Sequence, residues 1–105
     1  VNPEERGRLL ASMGDRRLLI LRNHGLLSWG GTVAEAFVRL WTLNRACEIQ
    51  VASESMRGED IPVPDHVADQ AGRAALQFNP RHGAGQDVFD ALRRLVDAKD
   101  PTYRE

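Results

Sequence analysis

A single cysteine, Cys47, stands in a chain of 105 residues, which excludes an internal disulfide and every paired-cysteine zinc spacing. Covalent cross-links cannot hold this fold, and a reducing, cytoplasmic setting is expected. No charge of one sign dominates. Fourteen basic side chains face fifteen acidic ones for a formal net charge of -1, without a block of like charges, so the basic footprint of a nucleic-acid binder is missing. A membrane-surface role lacks support for the same reason. No apolar run approaches the ~18 residues of a membrane helix, and the N-terminus carries no basic-then-apolar leader. Also absent are the Gly-x-x-x-x-Gly-Lys phosphate loop, the GxGxxG fingerprint, the Gly-x-Ser-x-Gly elbow and the His-Glu-x-x-His zinc helix. The chain opens on Val1 instead of Met, the start expected of a trimmed or partial product.

What is present is an ordinary globular composition, with 42% hydrophobic and 28% charged residues and a mean hydropathy of -0.41. Residues 1–105 fit one small domain, which buries only about 60 to 70% of the surface its unfolded chain exposes. Asn2, Pro3, Glu4 and Glu5 carry the signals of a helix start, and Gly14 those of its stop. The apolar run Leu18–Leu21 predicts a buried strand and Leu26–Trp29 a second, with Gly30-Gly31 as breaker. Between them Asn23-His24-Gly25 predicts a tight turn.

Thr32 and Glu35 form a Thr-x-x-Glu capping box ahead of a long helix expected over Val33–Ser55. Val33, Phe37, Leu40, Cys47 and Val51 make one apolar stripe, and Val38, Trp41 and Leu43 broaden it, which predicts cover on more than one side. Pro62 and Pro64 make Arg57–His66 a connector. Asp65 is placed to cap a helix running to Phe78, and a glycine-rich breaker ends in the last helix, Gln86–Asp100. Pro101 stops that helix and leaves residues 99–105 as a tail.

Few residues in this pattern could carry chemistry. Cys47, in the middle of an apolar helix, reads as a small buried hydrophobe, since reactive cysteines need exposed, electropositive surroundings. His24 follows a strand and precedes a glycine, a place where α/β folds present functional groups; the residues alone equally describe a hydrogen-bonded turn histidine. His66 and His82 read as exposed loop or helix-start residues. Trp29 and Trp41 are expected to supply buried area to a core or subunit contact. Tyr103, an aromatic in a charged tail, either lies in solvent or docks onto something, including a site.

The stretch Leu19–Ala52, with Asn23-His24-Gly25-Leu26-Leu27, a glycine, Thr32-Val33-Ala34-Glu35-Ala36 and Arg45-Ala46-Cys47-Glu48 in order, strongly resembles the C-terminal part of the class II aldolase/adducin family. The closing Asp100-Pro101-Thr102-Tyr103-Arg104-Glu105 is similar to the tail of its adducin-like branch. The resemblance implies an α/β fold, a three-layer α/β/α domain of which this chain holds a strand pair and about four helices. It also implies a homo-oligomer and a zinc ion, or another divalent metal, held by three histidines. One of these is His24; Asn23 orients it or stabilises the turn, and Gly25 completes the turn. The other two belong to a His-x-His motif that, like the family's acidic catalytic residue, lies upstream and has no counterpart in this sequence. The implied substrate is a small sugar phosphate or related hydroxy-carbonyl compound, cleaved at a carbon–carbon bond through an enediolate. The competing expectations are a non-catalytic, adducin-like interaction or oligomerisation module, and a short protein that builds a site from His24, His66 and His82.

Overall fold

The computed structural model describes residues 3–75 and 83–104. Its first helix, α1 (Pro3–Met13), carries Glu4 and Glu5 in its first turn, where the helix dipole favours acids. Gly14 ends it with a φ of 50° and donates its N–H to the Leu10 carbonyl at 3.2 Å. The cap expected of Asn2 lies outside the described residues.

β1 (Leu18–Leu21) and β2 (Gly25–Ser28) pair antiparallel, with Leu19 opposite Leu27, Ile20 opposite Leu26 and Leu21 opposite Gly25. The second strand begins one residue earlier than the apolar run suggests and ends at Ser28. Even so, the Trp29 N–H still reaches the Arg17 carbonyl at 3.3 Å. Because alternate residues share a face, Leu19, Leu21 and Leu27 lie on one side of the hairpin and Ile20, Leu26 and Ser28 on the other.

α2 (Val33–Glu54) opens on Thr32, whose hydroxyl accepts the Glu35 N–H at 3.1 Å. The capping box is not reciprocal. The Glu35 carboxylate takes the Gly31 N–H at 2.6 Å instead of that of Thr32, because it also pairs with Arg39 one turn on. Arg39 in turn donates to the Trp29 carbonyl at 2.8 Å, and Ser28 Oγ donates to the Ala36 carbonyl at 2.7 Å. These contacts fasten the end of β2 to the first two turns of α2.

α3 (Asp65–Ala75) does not use Asp65 as a cap: Asp65 is its first helical residue, and the Pro64 carbonyl accepts from Val67 and Ala68 at 2.9 and 3.1 Å. The continuation to Phe78 lies outside the described residues. α4 (Gln86–Lys99) follows, capped by Gly85, and Pro101–Arg104 close the chain as a 3₁₀ turn.

The centre of the fold is the N-terminal half of α2, packed by β2 on one side and α4 on another. Ala34 is 3% exposed. Phe37 meets Phe89 edge to face, with ring centroids 5.5 Å apart. Gly85 is buried here with a φ of 74°, and a β-carbon on it would lie 2.7 Å from Val38 Cγ2 and 3.2 Å from the Ala34 carbonyl. Only glycine lets the two helices approach this closely.

The second half of α2 departs from expectation. Val51 and Ile49 are 72% and 69% exposed, and every residue from 48 to 75 is exposed. The connector and α3 run away from α2 and leave its stripe bare, so the predicted cover exists only over the first turns. Accordingly the radius of gyration is 17.1 Å, against about 13 Å for a compact chain of this length.

Replacing Gly85 with Ala is expected to lower unfolding stability by about 2 kcal/mol, through the left-handed backbone and the clash with Val38; urea midpoints measure it. At the C-terminus the Thr102 hydroxyl and then its N–H, at 2.5 and 3.0 Å, hold the Asp100 carboxyl below its usual 3.8. A depressed acid stabilises the turn above its unfolded value and loses that contribution as pH falls through the folded one. By carboxyl NMR Asp100 should therefore titrate below 3.8, and Thr102→Ala should move it back up.

Candidate functional site

The hairpin turn is built for a fixed backbone. Leu21 and Gly25 are opposed in the ladder, so Arg22-Asn23-His24 must reverse the chain within three residues. The His24 N–H closes the turn on the Leu21 carbonyl at 3.2 Å. Asn23 takes a φ of 63°, the left-handed conformation that asparagine tolerates best among residues with a side chain, and Gly25 takes 134°. The polar triplet thus interrupts two apolar runs because each of its flanking positions meets a backbone demand. His24, between them, is exposed.

His24 borders a cleft of about 320 Å³ between α1 and the hairpin. Glu5, Arg8 and Ser12 line its helix side at positions i, i+3 and i+7, while Leu19 and Leu21 line its strand side. α1 therefore sits over the Leu19–Leu21 face, and α2, through Ser28, holds the opposite one. Helices on both faces of the two-stranded sheet reproduce a piece of the three-layer arrangement expected from the sequence.

A zinc site needs at least three protein ligands. Among the described residues no three histidine, cysteine or carboxylate side chains converge. Glu5 lines the same cleft as His24, a set of two. His66 is the exposed second residue of α3, and His82 lies outside the described residues. The residues described here do not complete a zinc site.

Other sequence candidates take different places. Tyr103 folds back onto α4, where its hydroxyl donates to Asp97, and Arg104 pairs with the same carboxylate. Cys47 is half-buried, not fully enclosed. Trp29 is half-buried at the β2–α2 junction. Trp41 is 46% exposed, outside the core, with the Arg45 guanidinium 5.7 Å from its ring centroid. Sequence reasoning missed the group formed by Ser28, Glu35 and Arg39. The i,i+4 acid–base pair was its visible signal, but its reach to the Gly31 amide and Trp29 carbonyl depends on how the loop returns.

Comparison with known proteins agrees with this geometry. The family model described as the class II aldolase and adducin N-terminal domain matches residues 2–51. An aldolase class 2 protein of Pseudomonas aeruginosa is 39% identical over all of this chain and 41% of its own length. Human beta-adducin is 35% identical over 77% of this chain and 12% of its own length. A crystal structure of an aldolase II superfamily protein from Pseudomonas syringae superposes with a TM-score of 0.84 at 34% identity, over 99% of this chain and 41% of that one. The chain spans about two fifths of the length of its aldolase relatives. Sequence matches running through the Asn-His-Gly turn and α2, together with a shared spatial arrangement over nearly the whole chain, establish that it belongs to the class II aldolase/adducin family.

Proposed function

We propose that this chain is the part of a zinc-dependent class II aldolase-type lyase that supplies His24 as one metal ligand, the others coming from residues outside it. The substrate class is a small sugar phosphate or related hydroxy-carbonyl compound, cleaved at a carbon–carbon bond. The observation that carries the assignment is the Asn23-His24-Gly25 turn. It spends two positive-φ positions to hold an exposed imidazole at the rim of a cleft, more backbone constraint than a solvated turn residue requires. Asn23 and Gly25 are then positioning residues: they set the path of the turn, and through it where the ring can reach.

A second reading, an adducin-like interaction module, is favoured by the lack of a three-ligand set among the described residues and by the adducin relatives. A zinc titration by calorimetry separates the two. The chain alone should show no tight 1:1 site. Fused behind the segment of the Pseudomonas aeruginosa relative that precedes its matched region, it should take up one zinc per chain, and His24→Ala should abolish that uptake. Uptake indifferent to His24→Ala would remove His24 from the ligand set, and a folded fusion that takes up no zinc would favour the interaction module.

A further inference from the structure

The described residues leave an apolar surface whose parts are continuous. On α2, helical spacing puts Val33, Leu40 and Val51 on one stripe, and they are 75%, 38% and 72% exposed. The stripe lies between the side of α2 that bonds β2, through Ala36, and the side that packs α4, through Val38. Next to it, Ile20 of β1 is 68% exposed on the hairpin face that α2 holds. The sheet has only two strands, so β1 and β2 each present an outer edge with unpaired N–H and C=O groups. A two-stranded sheet is at best marginal in water, and open edges recruit further strands.

What fits this surface is constrained by the shape of the chain itself. The arrangement of its elements is shared, at a TM-score of 0.84, with a protein of which it matches only 41%. In that longer chain the same elements stand in the same arrangement alongside the other three fifths of the polypeptide. An arrangement kept open across 34% identity, with a bare helix stripe beside unpaired strand edges, has the form of one side of a domain interior.

We infer that the α2 stripe and the hairpin edge form a docking surface for a strand-bearing polypeptide of the class II aldolase type, equivalent to the segment of the longer relatives that this chain does not span. Strands add to the hairpin edge through backbone hydrogen bonds, and their apolar side chains cover Ile20, Leu40 and Val51. The surface is not a homodimer face. A second copy would bring another bare helix stripe and another short hairpin, leaving two-stranded edges still to be extended. This inference does not depend on His24 binding metal.

The test mixes the 105-residue chain with the separately purified remainder of the Pseudomonas syringae protein, in buffer containing a metal chelator. Stoichiometry is read by sedimentation, and burial by a blue shift of tryptophan fluorescence. A 1:1 complex is expected. Val51→Asp and Ile20→Lys, both at exposed positions that the isolated fold does not need, should each weaken it at least about tenfold, with unchanged circular dichroism of the free chain. Two results overturn the proposal: no complex at concentrations where both polypeptides stay soluble, or a homodimer of this chain that Val51→Asp dissociates. A complex that forms in chelator but takes up no zinc afterwards upholds the docking surface while removing the metal-ligand assignment.

Discussion

The packing of β2 and α4 against the first turns of α2 is the constraint on which the rest of the structure depends. Glu35 and Arg39 tie the Gly31 amide and the Trp29 carbonyl to the helix, and Ser28 binds the Ala36 carbonyl. These bonds set the hairpin's orientation, and through it the position of the turn that carries His24. On the other flank, Gly85 lets α4 approach Ala34 and Val38, and Phe37 and Phe89 fill the wedge. Hydrogen bonds of this half-buried kind contribute about 1 kcal/mol each, more where charged, and the directional fixing they provide exceeds that energy in consequence.

Against this local order stands a small core. Ala34 is the buried apolar residue among those described, and the second half of α2, the connector and α3 contribute no burial. Apolar burial is the main favourable term in folding, so a chain that leaves Ile49, Val51 and Ile61 in water forgoes most of it. The architecture is that of a piece of a layered α/β domain, with helices on both faces of a sheet two strands wide.

The same incompleteness bears on chemistry. A turn that takes two positive-φ residues to present one imidazole is well adapted to contribute a ligand, yet a catalytic metal needs ligands from several elements. The described residues bring Glu5 and His24 to one cleft and no third donor. Contributing one precursor of a site and one side of an interior are two expressions of the same division of the fold.

Much of the local structure was legible in the residues. Pro3 and Gly14 bounded α1, Thr32 started α2, Pro101 ended α4, and Asn23-His24-Gly25 announced a reversal, because each acts through covalent geometry or through bonds to neighbours a few positions away. The Asn-His-Gly turn and the Thr-Val-Ala-Glu-Ala helix start also carried the family. What the sequence could not decide was which apolar faces meet. The stripe of α2 reads as buried by periodicity, but periodicity records only that a face is apolar, and whether it is covered depends on distant segments. The closeness of Gly85 to Val38, the reach of Glu35 past Thr32 to Gly31, and the return of Tyr103 to Asp97 likewise join elements separated along the chain. The sequence by itself determined the helices, the hairpin and the turn that holds His24, since these arise from short-range stereochemistry. Only the tertiary structure decided that α2 organises the fold through its first turns and lies bare beyond them, because packing is set by which surfaces the folded backbone brings within contact distance.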